Sequence, residues 1–179
     1  MRRKDFSQIE CSIARAADEI GDPWSLLLLR HAFLGVRRFA DFEVALEIPP
    51  NTLSSRLSVL QKKGLLRRTK YENHPPRYEY ELTERSLDLL PLIVSLAVWG
   101  SRWKAPAGPP FELVDAESGQ VLDPVFVDRR SGKTIEPGQV GLRVGPGASQ
   151  ELRRAVAATG REILVLGRQM DDRARRARA

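Results

Sequence analysis

Apolar side chains recur at helical spacing from the start of the chain. Ile9, Ile13, Ala16, Ala17 and Ile20 fall on one face of a helix over residues 9–20, because residues three and four apart stack on the same side. Gly21-Asp22-Pro23 then stops that helix and opens the next, with aspartate as the cap and proline at a first position that needs no donor. The second helix, over 23–33, carries Trp24 and the run Leu26-Leu27-Leu28-Leu29. It is too apolar to have a wet side, so it is expected at the centre of the core. Gly35 ends it. Residues 38–46 make a short amphipathic helix with Phe39, Phe42 and Leu46 inward, and Ile48-Pro49-Pro50 is a turn. Residues 51–63 form a further helix that buries Leu53, Leu57 and Leu60 before Gly64 caps its end.

Past Gly64, residues 65–71 and 77–82 are rich in strand formers, with Glu72-Asn73-His74-Pro75-Pro76 as the loop of a β-hairpin. Thr83 caps a last helix in which Leu87, Leu89, Leu90, Leu92, Ile93, Val94, Leu96, Ala97, Val98 and Trp99 follow one another. A terminal helix that is apolar nearly all round needs cover from outside its own domain, and its copy in a second subunit supplies that most simply. A homodimer is therefore expected, with Leu89, Ile93, Leu96, Trp99 and Trp103 in the seam. Pro91, inside this helix, is expected to bend it.

These elements make residues 1–104 one unit. Residues 105–110, rich in Pro, Ala and Gly, read as a linker, residues 111–147 as a small β-rich appendage, and residues 148–179 as a C-terminal helix and basic tail. Within the appendage, Asp115-Ala116-Glu117-Ser118-Gly119 returns thirteen residues later as Asp128-Arg129-Arg130-Ser131-Gly132. Each copy predicts a tight turn held by Asp and Ser side chains. Strands are expected at 112–114, 125–127 and 140–144, and a helix over 149–158; residues 161–166 fit strand or helix equally. The Asp and Ser positions match those of four thiolates in a zinc ribbon, but hydroxyls and carboxylates cannot replace thiolates. The appendage thus reads either as a metal-free ribbon with Val114, Val121, Leu122, Val125, Phe126 and Ile135 packed between its turns, or as two ordinary hairpin turns. The arginine-rich stretch from Arg168 to Ala179 frays or touches phosphate.

Composition narrows the function. The chain has 179 residues, 42% apolar and 29% charged, which excludes disordered and collagen-like classes. Its most apolar stretch, residues 87–99, is shorter than the roughly 20 residues of a bilayer span and is interrupted by Asp88 and Pro91. The basic N-terminus leads into polar sequence instead of an apolar signal core, so the cytoplasm is the expected location. A single cysteine excludes an internal disulfide, and with two histidines no zinc site is expected. Gly138, Gly141, Gly145 and Gly147 lack the strand-turn-helix context of a nucleotide loop, and His31 sits in an apolar helix without catalytic partners. Neither an enzyme nor a bound cofactor is expected.

The net charge of +6 and a pI near 9.9 point to a polyanion. Arg56, Lys62, Lys63, Arg67, Arg68, Lys70 and Arg77 face the single acid Glu72 between residues 50 and 78, so this window holds the whole excess. The helix over 51–63 offers Asn51, Thr52, Ser54, Ser55, Arg56, Ser58 and Lys62 away from its leucines. Small hydroxyls let a backbone approach a groove, arginine can bridge guanine O6 and N7, and asparagine pairs with adenine. A short helix, a tight turn and this helix form a helix-turn-helix, and the basic hairpin behind it is a wing whose Arg77 and His74 reach phosphate or an adjacent groove. Arg37 and Arg38 join the same contact set. The fold class is α+β, a winged helix-turn-helix with a small β-rich appendage. Its expected partner is double-stranded DNA, a pseudo-palindromic operator for a dimer. A nonspecific DNA-coating protein and a protein-interaction module are the alternatives.

A series of motifs carries a family resemblance: Cys11-Ser12-Ile13-Ala14-Arg15, Ile20-Gly21-Asp22-Pro23-Trp24, Gly35-Val36-Arg37-Arg38-Phe39, Leu53-Ser54-Ser55-Arg56-Leu57, Leu60-Gln61-Lys62-Lys63-Gly64-Leu65, Pro75-Pro76-Arg77-Tyr78-Glu79-Tyr80 and Trp99-Gly100-Ser101-Arg102-Trp103. In that order, over residues 10–103, they resemble the HxlR-type winged-helix transcriptional regulators of bacteria. The resemblance implies a dimeric DNA-binding regulator. It also makes Cys11 a candidate redox sensor, since several members use a cysteine there to sense electrophiles or oxidants. From residue type alone, Cys11 is expected to pack as a small apolar side chain, because free cysteine is among the most buried residues. A sensor would instead need exposure and nearby cations such as Arg15 or the Arg2-Arg3-Lys4 cluster.

Overall fold

A computed structural model describes residues 6, 8–136 and 138–166. The chain divides into two compact units, with the break between Phe111 and Glu112.

The first unit runs α1 (Ser12–Ile20), α2 (Pro23–Phe33), α3 (Phe39–Leu46), α4 (Pro50–Lys62), β1 (Leu66–Asn73), β2 (Pro76–Leu82), α5 (Glu84–Leu87) and α6 (Leu90–Lys104). The expected break between the first two helices is present: Asp22 caps α2 by accepting from the Ser25 N–H at 3.1 Å, and Pro23 opens it. Gly64, at φ +67°, follows α4 in the left-handed conformation that a Schellman cap requires. Its N–H donates to Gln61 O at 2.9 Å, and the Leu65 N–H to Leu60 O at 2.9 Å. The core gathers Ile20, Leu28, Leu29, Phe42, Ile48, Leu53, Leu57, Leu60, Leu65, Leu66 and Tyr80, one or more from each of α1 to α4 and from both strands.

Several expectations are corrected. The first helix begins at Ser12, not residue 9, and Ile20 is its one buried residue; Ile9 and Ile13 are exposed. Within α2 only Leu28 and Leu29 of the leucine run are fully buried, and Leu27 reaches solvent. The helix expected from Thr83 onward is two helices. Thr83 and Ser86 form a capping box on the short α5, and Pro91 falls in the first turn of α6. There its missing N–H costs nothing, so Pro91 starts a helix instead of bending one. No residue of α6 is buried. The strands pair antiparallel from Leu66 opposite Leu82 to Asn73 opposite Pro76, with a bulge at Tyr71. A third edge, not foreseen from sequence, adds to β2: Arg38 bridges Glu79, and the Tyr80 N–H donates to Arg37 O at 2.8 Å.

The second unit holds β3 (Gly141–Leu142), α7 (Gln150–Ala158) and β4 (Leu164–Val165). Ser149 caps α7, and residues 164–165 resolve as strand, paired with β3. The repeat folds as twin turns. Asp115 accepts from the Ser118 N–H at 2.8 Å and the Ser118 hydroxyl at 2.7 Å, and Asp128 accepts from the same groups of Ser131 at 3.0 and 2.6 Å. Each turn closes on a glycine with positive φ, Gly119 or Gly132, and on a single bridge, Val114 to Val121 or Val127 to Thr134. The expected strands at 112–114 and 125–127 are no longer than these bridges. Val114, Val121, Leu122, Val125 and Phe126 are exposed, which corrects the expectation of a packed ribbon interior. Pairs one residue long build no sheet face against which such side chains could pack. The Arg2-Arg3-Lys4 cluster, Pro137 and the arginine-rich end from Arg168 lie outside the described residues.

Candidate nucleic-acid interface

Helix α4 carries three stripes set by helical spacing. Leu53, Leu57 and Leu60 are fully buried. Thr52, Arg56, Val59 and Lys63 form a half-buried flank, and Asn51, Ser54, Ser55 and Lys62 are exposed, with Ser58 half-buried beside them. The leucines fix the rotation of the helix, so the hydroxyls and the amide face water because the opposite side is committed to the core. Of the α4 residues expected at a DNA surface, Asn51, Ser54, Ser55 and Lys62 are exposed, while Thr52, Arg56 and Ser58 are half-buried.

The flank faces the break between α1 and α2. Arg56 Nε lies 3.6 Å from Asp22 Oδ1, and Lys63 Nζ donates to the carbonyls of Asp18 and Glu19 at 2.7 and 2.8 Å, capping the C-terminus of α1. Sequence reasoning read Asp22 only as a helix cap and Lys63 only as part of a basic block. The seven-residue spacing of Arg56 and Lys63, two helical turns, was the available sign that they share a side.

The wing is less basic than its sequence window suggests. Leu66–Leu82 holds Arg67, Arg68, Lys70 and Arg77 against Glu72, Glu79 and Glu81, and strand pairing sets several of these opposite one another. Arg67 meets Glu81 at 2.8 Å and Arg77 meets Glu72 at 3.2 Å. Arg38 meets Glu79 at 3.1 Å, and Arg37 lies 3.8 Å from Glu81. Hydrogen bonds from Arg67 and then Thr69 hold the Glu81 carboxyl below the usual range. Arg68 stacks over the Tyr78 ring at 3.4 Å. Among the described residues Lys62, Arg68 and Lys70 have no carboxylate within ion-pair distance. His74 and Arg77 are exposed at the wing's tip, where the turn is shorter than the loop expected over 72–76.

The remaining candidates lie on other elements. On α6, Leu96, Trp99 and Trp103 are exposed, while Leu89, just before it, and Ile93 are half-buried. Cys11 is exposed at the N-cap of α1 without a capping hydrogen bond, which corrects the expectation that it packs inward. Two residues from Ile9 and Ile13 and nine from Ile20, Cys11 lies off the apolar side of α1, whose one buried residue is Ile20 at its far end. His31 is buried, with Nδ1 2.9 Å from Leu27 O and Nε2 2.9 Å from Arg30 Nη2. Both ring nitrogens are therefore occupied. Among the described residues no group of three or more His, Cys, Asp or Glu side chains converges as metal ligands would, and no helix is long and apolar enough to cross a membrane.

Comparison with known proteins agrees with this geometry. The profile of the HxlR-like helix-turn-helix family matches residues 19–107. Uncharacterized HTH-type transcriptional regulators of Mycobacterium bovis and Mycobacterium tuberculosis are each 42% identical over 142 residues, covering 79% of this chain and 90% of theirs. The crystal structure of PA1607, a proposed transcription factor, superposes with a TM-score of 0.70 at 33% identity, covering 78% of this chain and 97% of its own. That of PA1374 from Pseudomonas aeruginosa, also a proposed transcription factor, gives 0.60 at 36% identity over 81% and 99%. Matches of this length exceed the first unit, so they continue into the second. On profile, identity and fold together, the chain belongs to the HxlR-like helix-turn-helix family of transcriptional regulators.

Proposed function

We propose that the protein is a homodimeric, sequence-specific DNA-binding regulator. Helix α4 enters the major groove with Asn51, Ser54 and Ser55 foremost and Thr52, Arg56 and Ser58 beside them, Lys62 reaches phosphate, and the wing sets Arg77 and His74 on phosphate. Arg37 and Arg38, already paired to wing carboxylates, steady the wing's root and add positive charge there. The partner is double-stranded DNA in the cytoplasm, and regulation proceeds by binding and release, without catalysis. The observation that carries this reading is the stripe on α4: small donors and acceptors open to water on a helix whose other side is locked by three fully buried leucines. Such a surface suits base edges, because short side chains admit the groove wall and each can donate or accept.

In this reading residues 1–104 bind DNA and dimerise, residues 105–110 link them to the appendage over 111–147, and residues 148–179 are a C-terminal helix and basic tail. The dimer is formed through α6 and the exposed apolar side of α1. Two such chains place their α4 helices in successive major grooves about 34 Å apart on a pseudo-palindrome.

Selection of bound fragments from a random DNA library, followed by salt titration of the selected and of random duplexes, tests the reading. A cognate-to-random affinity ratio of about 10³ or more is expected. Equal affinity for both would make it a nonspecific DNA-binding protein, and no binding to either would leave a protein-interaction module.

A further inference from the structure

We propose that Asp22 is the positioning residue that aims the Arg56 guanidinium at a guanine edge in the major groove, an inference that rests on α4 being the recognition helix. The Asp22 carboxylate is itself held. Oδ1 accepts from the Ser25 N–H at 3.1 Å, Oδ2 accepts from the Ser25 hydroxyl, and Ser25 is fully buried. The Asp22 side chain is 13% exposed, so solvent and salt screen it weakly, while that of Arg56 is 35% exposed and retains access to a ligand.

The closest approach of Arg56 to Asp22, Nε to Oδ1 at 3.6 Å, is too long for a hydrogen bond. Attraction therefore restrains the side chain without consuming its donors, and among the described residues no hydrogen bond leaves Arg56. Arg67 is the contrast. It closes Nε and Nη2 on Glu81 at 3.3 and 2.8 Å, and its fork is spent. An unrestrained arginine would lose rotamer freedom on meeting a base, and one already gathered toward a fixed carboxylate loses less. Two turns further along the same flank, Lys63 is fastened to the last carbonyls of α1. The helix that carries Arg56 is thereby held to the same α1–α2 junction that carries Asp22.

The test is a cycle of Asp22→Asn, Arg56→Ala and the double variant in the full chain, read as the ratio of affinities for selected and random duplexes. Asparagine remains a good N-cap, so α2 keeps its start. Arg56→Ala is expected to lower the ratio about tenfold or more, Asp22→Asn to lower it by a comparable factor with an unchanged salt slope, and the double variant to do no worse than Arg56→Ala alone. If Asp22→Asn does not fold, Ser25→Ala, which releases Oδ2, replaces it in the cycle with the same expectation. An unchanged ratio in Asp22→Asn, an equal further loss on the Arg56→Ala background, or a salt slope reduced by about one, the mark of a phosphate contact, overturns the proposal and leaves α4 as the recognition helix. A wild-type chain that selects no sequence overturns both.

Discussion

If the proposed dimer closes through α6, replacing Trp99 by Ala should dissociate it. Trp99 sits on α6 with 55% of its surface exposed, beside Leu96 at 44% and Trp103 at 66%. A buried aromatic contributes roughly 150–250 Å² of contact. The part of Trp99 left open in the single chain is thus on the order of 100 Å², worth about 2.5 kcal/mol at 25 cal/mol per Å² if a partner covers it. In an isologous dimer the change occurs twice, once in each subunit. The summed loss approaches 5 kcal/mol as an upper figure, since area converts imperfectly to affinity. A dissociation constant raised by at least about a hundredfold is expected, which at 1.4 kcal/mol per tenfold asks for little more than half of that sum. Sedimentation velocity over a dilution series reads it directly. Helical circular dichroism should be unchanged, because no residue of α6 belongs to the buried core. A variant that keeps its dimer within threefold of wild type while remaining folded would show that α6 is not the seam. Ile93→Asp is a poorer probe, because Ile93 is half-buried within its own chain and a charge there also disturbs the monomer.

Three further outcomes follow from single side chains. Lys62→Ala should weaken cognate and random DNA alike and lower the salt slope by about 0.9, and Arg77→Ala, already paired with Glu72, should lower it less; equal slopes for both variants would contradict the ion pair. Asp115 and Asp128 should titrate below the ordinary aspartate value, the first held down chiefly by the Ser118 N–H and the second by the Ser131 hydroxyl. Since both values are lowered in the fold, the turns gain their stability above the unfolded value of about 3.9 and lose it as the pH falls through the lower folded values. A carboxyl NMR titration with midpoints at or above that figure would refute the turn geometry. Cys11 should react stoichiometrically with a chromogenic disulfide in the native protein, and a thiol that reacts only after unfolding would refute its exposure at the N-cap of α1.

Local rules determined much of the first unit. Gly21-Asp22-Pro23, Gly64 and Thr83 act through backbone groups within a few residues, so the sequence located three helix boundaries without help from the fold. The leucines of α4 announced their own burial, because a period of 3.6 admits only one buried side. Those same rules made the helix-turn-helix and its exposed polar stripe legible, along with the hairpin and the twin Asp-Ser turns.

What the sequence left open depends on contacts between distant residues. A charge count over residues 50–78 stops just short of Glu79 and Glu81, yet antiparallel register sets those carboxylates beside Arg38 and Arg67, forty-one and fourteen residues away. Periodicity shows that a face is apolar but not what covers it. The side of α1 that carries Ile13 therefore read as core although it is exposed, and α6 read as apolar nearly all round although Ile93, Val94 and Val98 are already half-buried within the single chain. Pro91 looked like a kink because the apolar pattern resumes directly after Asp88, which hides the end of α5. The tether from Asp22 to Arg56 joins residues from two helices that meet only because Leu28, Leu29, Leu53 and Leu57 bury against one another. Backbone capping is decided within a turn of helix and can be read from adjacent residues, whereas ion pairing and burial are decided by which surfaces the closed core brings together.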